Sequence, residues 1–89
     1  MSDNEMILAE NALKRASGRA LFDERVFAHI KLGFSRLTAL TAMLRTDTYV
    51  VAMHQAFGTS VERVIDKAVQ RLRKAGRIGY HGGAGWKVL

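Results

Sequence analysis

The segment VERVIDKAVQRLRKA, residues 61–75, constrains the fold of this chain more than any other part of its sequence. Its apolar residues recur at the spacing of one helix face, and that face is wide enough to require burial against a core. Thr59 and Ser60 precede the segment as alternative N-caps, and Gly76 follows it as a stop. We therefore predict an amphipathic, core-facing helix. Its apolar stripe consists of Val61, Val64, Ile65, Ala68, Val69 and Leu72.

A shorter helix is predicted directly before it, over YVVAMHQAF. Asp47 or Thr48 would cap its start. Gly58 would end it, because glycine adopts the left-handed conformation at the least cost. The predicted order is thus a short helix, a three-residue turn around Gly58 and a long helix. The apolar side of the short helix would carry Tyr49, Ala52, Met53, Ala56 and Phe57.

The first half of the chain also shows helical patterns. NEMILAENALKRA has helical apolar spacing after a cap at Ser2 or Asp3, and Ser17 with Gly18 is predicted to stop this first helix. A later helix, SRLTALTAMLRT, is predicted with Ser35 as its cap.

The stretch between these two helices, RALFDERVFAHIKLGF, supports two interpretations. Phe22, Val26 and Ile30 recur every four residues, as on a helix, whereas residues 26–32 also alternate as in a strand. We favour a helix that ends at Gly33.

The last residues read RIGYHGGAGWKVL, two short apolar stretches around a group of glycines. This pattern predicts a β-hairpin with a connection longer than a two-residue turn. A phosphate-binding loop is disfavoured, because Trp86 follows Gly85 where such a loop needs Lys and a helix. The predicted fold class is therefore mainly α with a C-terminal β-hairpin.

Composition limits the class of protein. Eighty-nine residues with 48% hydrophobic content predict a single small domain over 1–89. There is no cysteine for a disulfide or a thiolate metal site. The first residues lack the basic region and apolar core of a signal peptide, and no apolar run approaches the ~18 residues of a membrane span. We expect a cytoplasmic protein without membrane contact.

No catalytic or metal-binding pattern is evident in the sequence. His29, His54 and His81 are far apart and have no ligand-like spacing. No serine stands in a recognisable catalytic motif. We therefore expect no metal, no cofactor and no enzymatic activity.

The net charge of +6 is unevenly distributed. No carboxylate side chain follows Asp66, so the C-terminal third is basic. This asymmetry indicates a polyanionic partner, with nucleic acid favoured over membrane, although a basic solubilising surface is an alternative. The basic residues after Asp66 are Lys67, Arg71, Arg73, Lys74, Arg77 and Lys87.

The predicted order of short helix, turn, long basic helix and glycine-rich hairpin resembles a winged helix-turn-helix domain over about residues 48–89. The LRKAGRI step from the long helix into the hairpin is the most similar phrase. The resemblance implies a winged-helix core at 35–89 and an N-terminal helical extension at 1–34. It also implies that helix 61–75 reads the major groove of DNA and that wing 77–89 contacts the backbone.

The charges of the long helix agree with such a role. Arg63, Lys67 and Arg71 follow one another at i, i+4, with Lys74 beside them. Each like-charge pair costs a few tenths of a kcal/mol in an isolated helix, which favours contact with phosphate or base over a merely solvated face. The full predicted DNA-binding set is Thr59, Ser60, Arg63, Lys67, Arg71, Lys74, Arg77, Tyr80, His81 and Lys87.

Several of these residues have a second interpretation. Thr59 and Ser60 are helix caps first, although a helix N-terminus also offers N–H groups to a phosphate. Tyr80 and His81, near the tip, would reach a sugar or phosphate. Trp86 is interpreted as the anchor of the hairpin in preference to a base-stacking residue.

The favoured function is a small DNA-binding protein, either a transcriptional regulator or an accessory factor of a mobile element. A winged-helix module that docks on a protein and an RNA-binding protein that uses the same basic face are the alternatives. We also expect a homodimer, because the N-terminal apolar stripe needs burial. That stripe comprises Met6, Ala9, Leu13 and Ala16.

Overall fold

A computed structural model describes residues 16–89 of the chain. Over these residues it has four α-helices followed by a two-stranded antiparallel hairpin, which confirms the predicted mainly helical class with a C-terminal hairpin. The predicted helix over residues 4–16 lies outside the described residues, apart from Ala16. The elements are α1 (Ala16–Lys31), α2 (Leu37–Leu44), α3 (Thr48–Phe57), α4 (Val61–Lys74), β1 (Ile78–Tyr80) and β2 (Trp86–Val88), with a 3₁₀ turn at Gly82–Ala84.

Helix α4 forms as the apolar stripe predicts. Ser60 is the N-cap, and its hydroxyl accepts a hydrogen bond from the N–H of Arg63 at 3.3 Å. Gly76 follows the helix with a φ of +74°, a conformation that other residues rarely adopt. Five members of the predicted stripe are buried: Val64, Ile65, Ala68, Val69 and Leu72.

Helix α3 has both predicted ends. Asp47 is the N-cap and accepts from the N–H of Tyr49 at 2.9 Å. Gly58 is left-handed, with a φ of +66°, and its N–H donates to the His54 carbonyl. The His54 ring also reaches across the turn, with Nδ1 2.9 Å from the Thr59 carbonyl oxygen. Side-chain and backbone contacts therefore both define the turn between α3 and α4.

Helix α1 resolves the ambiguous stretch in favour of the helix. Phe22, Val26 and Ile30 are all buried, whereas Ala28 and Leu32, which a strand would place on the same face, are exposed. The helix ends before Gly33, whose φ is +107°. The spacing of four residues was therefore the relevant signal, because a strand would also place Ala28 and Leu32 on the face of these three side chains, whereas a helix turns both away.

Two predicted boundaries are wrong. Ser17 and Gly18 do not stop a helix, because α1 runs through both of them. Ser35 does not cap α2, because Arg36 occupies the N-cap position without a side-chain cap bond. The Ser35 carbonyl instead accepts a hydrogen bond from the N–H of Trp86 at 2.7 Å. At Ser35 a long-range contact with the hairpin therefore outweighs the local capping signal.

One core joins all four helices and the hairpin. Helix α1 packs along α4, and the Phe22 ring stacks on Tyr49 of α3 with centroids 4.6 Å apart. Phe22, Val26 and Ile30 of α1 are thus part of the core. No helix within residues 16–89 is long and apolar enough to cross a membrane. The core consists of Phe22, Val26, Ile30, Leu40, Leu44, Tyr49, Val50, Val64, Ile65, Ala68, Val69, Leu72 and Ile78.

The hairpin is attached to the helices at both strands. Ile78 of β1 is buried in the core, and Trp86 of β2 packs against it. The strands pair Tyr80 with Trp86 and Ile78 with Val88. Because the Trp86 N–H donates to Ser35, the segment between α1 and α2 lies along β2.

Candidate nucleic-acid interface

The face of α4 opposite the core is basic. Arg63, Lys67 and Lys74 are exposed there, and at about 100° per residue they lie within about 40° of one another around the helix axis. Within residues 16–89 none of the three side chains forms a salt bridge. These three cations therefore remain available to an external anion.

An open depression lies at the N-terminus of α4. Four residues of the predicted set line it, Thr59, Ser60, Arg63 and Lys67, together with Phe57 and Gly58. The first N–H groups of a helix lack intrahelical acceptors and carry the positive end of the helix dipole. Two side-chain cations thus meet the positive end of the helix, an arrangement that suits an anionic oxygen.

Arg71 belongs to a different surface. Its position lies about 20° from that of buried Val64 around the helix axis, so its side chain points toward α1. There it donates to both carboxylate oxygens of Asp23, with Nε–Oδ2 and NH2–Oδ1 distances of 2.9 and 2.8 Å. The hydrogen bond to Asp23 raises the pKa of Arg71. The structure therefore separates Arg71 from Arg63, Lys67 and Lys74.

Arg77 also pairs with α1. Its guanidinium donates to both carboxylate oxygens of Glu24 and lies over the Phe27 ring, 4.0 Å from the centroid. The hydrogen bond from Arg77 holds the pKa of Glu24 below its ordinary value. Two arginines predicted to contact DNA thus link the helix–hairpin junction to α1.

The remaining predicted residues lie on the hairpin. Tyr80 is 60% exposed, and its ring meets Trp86 edge to face with centroids 5.2 Å apart. His81 and Lys87 are exposed. Trp86 is half-buried against the core, in agreement with the predicted anchor.

Arg36 is a basic residue near the hairpin tip that the sequence did not single out. Its guanidinium donates to the carbonyl oxygen of Gly83, which lies 47 residues further along the chain. Local periodicity carries no information about so distant a partner. The backbone of Arg36 is extended, with a φ of −116° and a ψ of 149°, at the N-cap position of α2.

Metal ligation finds no support in the part of the chain that the structure describes. Residues 16–89 contain no group of three or more His, Asp or Glu side chains placed to hold a metal ion. Comparison of the chain with protein-family models, curated proteins and solved structures finds no match.

Proposed function

We propose that this chain is a winged-helix DNA-binding protein in which α4 enters the major groove and the hairpin contacts the neighbouring backbone. It would act in the cytoplasm as a transcriptional regulator or as an accessory factor of a mobile element. The helix order supports this proposal, since α3, the turn at Gly58, α4 and the hairpin follow one another as in such domains.

The observation that carries the proposal is the contrast between the arginines that face α1 and the cations on the outer face of α4. Arg71 and Arg77 are neutralised by carboxylates of α1. Arg63, Lys67 and Lys74 have no such partner within the described residues. A row of unpaired cations on one helix face attracts phosphate, and this attraction supplies most of the affinity in non-specific DNA binding.

The dimensions of α4 also suit the major groove. Its 14 residues span about 21 Å, and the groove is about 12 Å wide, enough to admit a helix. Recognition helices contact base edges mainly through their N-terminal residues. Arg63 is therefore the proposed base-reading residue, and Lys67 and Lys74 are proposed to contact phosphates.

We also propose that two copies bind DNA together through α1. Leu21 and Leu32 are 65% and 76% exposed. Leu21 lies on α1, and Leu32 follows its last residue with an N–H that still donates to the Ala28 carbonyl, so the two positions lie about 20° apart around the helix axis. Pairing of this apolar strip across a two-fold axis would remove it from water and present two α4 helices to paired half-sites.

The experiment compares two double variants of equal charge. Arg63→Ala with Lys67→Ala changes the proposed interface, and Arg19→Ala with Arg45→Ala removes two exposed cations from other parts of the structure. Binding is measured by fluorescence anisotropy on a duplex that the wild-type protein selects from a random pool. We expect the interface variant to lose at least tenfold in affinity, from about 1–3 kcal/mol for one base-reading arginine, and the control to lose much less.

Other outcomes would support the alternative functions. Equal losses in the two variants would show a non-specific basic surface and would overturn the recognition-helix assignment. Tighter binding to RNA than to duplex DNA at every salt concentration would favour the RNA-binding alternative. Circular dichroism should show unchanged helicity in both variants, because all four substitutions are at exposed positions.

A further inference from the structure

A groove lies between the hairpin and the start of α2. Arg36, Leu37, Thr38, Tyr80 and Trp86 line it. Tyr80 and Trp86 are register partners on adjacent strands, so their side chains project to the same face of the hairpin. On β1 that face also carries Ile78, which is buried, whereas Tyr80 extends beyond the core and is 60% exposed. The groove is therefore the uncovered end of the inner hairpin face.

Contacts on all sides hold the groove open. The Trp86 N–H donates to the Ser35 carbonyl at 2.7 Å, which places β2 against the segment before α2. The Trp86 ring in turn supports Tyr80 edge to face. On the opposite wall, the Gly83 carbonyl accepts from the Arg36 guanidinium. An aromatic surface and a cation are thus positioned before any ligand arrives.

We propose that this groove binds an unpaired nucleobase of a DNA strand. The exposed face of Tyr80 would stack on the base, and the remaining N–H groups of Arg36 would contact the adjoining phosphate. Charge complementarity supports this occupant, because Arg36 is the only charged residue among the described residues that line the groove, and no carboxylate side chain follows Asp66 in the sequence. The proposal rests on the proposed DNA-binding function and extends it to a second site.

A protein with both the α4 site and the groove should prefer DNA that carries a single-stranded overhang. A blunt duplex would engage α4 and the backbone contacts of the hairpin, whereas a duplex with a single-stranded overhang would engage the groove as well. Stacking of one base on an aromatic side chain contributes about 1–3 kcal/mol, which corresponds to about 5- to 150-fold in affinity. We expect the overhang to increase affinity within this range.

The test uses three DNA ligands that share one duplex. The first is blunt, the second has a thymidine overhang, and the third has an overhang of abasic sites with the same phosphates but no bases. Affinity is measured by anisotropy, and occupation of the groove by the fluorescence of Trp86, the single tryptophan of the chain. The thymidine overhang should bind about tenfold tighter than the other two and should quench Trp86.

Two variants of Tyr80 separate stacking from structure. Tyr80→Ala should abolish the advantage of the thymidine overhang over the abasic overhang, and Tyr80→Phe should keep it. Equal affinity for all three ligands, equal gains from thymidine and abasic overhangs, or unchanged Trp86 fluorescence would each overturn the groove proposal. If the wild-type protein does not bind the blunt duplex at all, this result would overturn the proposed function instead. If the groove binds peptides instead, affinity should be equal for the three DNA ligands, and this result would also overturn the proposal.

Discussion

Arg71 of α4 donates hydrogen bonds to both carboxylate oxygens of Asp23 on α1, with nitrogen–oxygen distances of 2.8–3.2 Å. The two side chains are 35% and 15% exposed, so water screens the pair only in part. In the sequence, Arg71 stands in an i, i+4 series with Arg63 and Lys67 and resembles them in every local respect. Because Arg71 pairs with Asp23 in the folded protein, it links α1 to α4.

The first prediction concerns this pair. Arg71→Ala should destabilise the protein by about 1–2 kcal/mol, between the values for exposed and buried ion pairs, because it leaves the Asp23 carboxylate half-desolvated and unpaired. Lys67→Ala, on the outer face of the same helix, should cost less than about 0.5 kcal/mol. Urea unfolding followed by circular dichroism measures both. Equal stability of the two variants would show that the Asp23 contact contributes nothing.

A second prediction concerns acid stability. Burial opposes ionisation of Asp47, but hydrogen bonds from Arg25 and from the N–H of Tyr49 outweigh it and hold the pKa of Asp47 below its ordinary value. The pKa of Glu24 is lowered by Arg77. A carboxylate whose pKa is lower in the folded than in the unfolded state stabilises the folded protein at pH values above its unfolded pKa, near 4. This stabilisation is lost as the pH falls through the pKa of the folded state.

The unfolding temperature of the wild-type protein should therefore decrease as the pH falls below about 5. Asp47→Asn should be less stable than wild type near neutral pH and should lose less on acidification, because asparagine still caps α3 but has no charge to lose. Thermal unfolding at a series of pH values measures this. If the unfolding temperatures of the two proteins change in parallel with pH, the ion pair between Arg25 and Asp47 does not contribute to stability.

Gly85 provides a third prediction. Its φ of +79° and ψ of −151° belong to a region that is essentially restricted to glycine, and a Cβ there would overlap the Ser35 carbonyl oxygen. Gly85→Ala should cost about 2 kcal/mol or more from backbone strain and the displaced contact. Gly83→Ala in the same turn is the matched control, since a Cβ at Gly83 meets no atom within 4 Å. Similar unfolding temperatures for the two variants would show that the hairpin is not closely seated on Ser35.

The fourth prediction concerns the salt dependence of DNA binding. Lys87 is exposed on β2 and is proposed to contact one phosphate. Lys87→Gln should weaken binding similarly for all DNA sequences and reduce the slope of log K against log salt by about one. Arg45→Gln removes an exposed charge from the end of α2 and should leave the slope unchanged. A slope that stays the same in Lys87→Gln would remove this residue from the interface.

The fifth prediction concerns assembly. Light scattering at micromolar concentration should give about twice the chain mass of 9.9 kDa. Leu21→Glu with Leu32→Glu should give the single-chain mass without loss of stability, because both side chains are exposed in the isolated chain. A single-chain mass for the wild-type protein would exclude the proposed pairing at this concentration. A dimer that survives the substitutions would show that the copies pair elsewhere.

Local signals determined much of the fold. The broad stripe of α4, the N-cap at Asp47, the left-handed Gly58 and the glycine-rich connection of the hairpin all have their cause within a few residues of where they act. Periodicity, capping and positive φ are properties of short segments, so the sequence expresses them directly. The order of elements could be predicted for this reason.

Tertiary structure alone decided which cations remain exposed. Arg71 and Arg77 pair with residues 48 and 53 positions earlier, and Arg36 with a carbonyl 47 positions later. A side chain on the flank of a helix meets whatever element packs beside it, and no local pattern encodes that neighbour. The same cause explains why α1 joined the core and why Ser35 bonds to the hairpin rather than capping α2. The sequence by itself determined the elements and the basic character of α4. Packing between distant segments decided which charges face outward. That outcome depends on contacts that form only when the chain is folded.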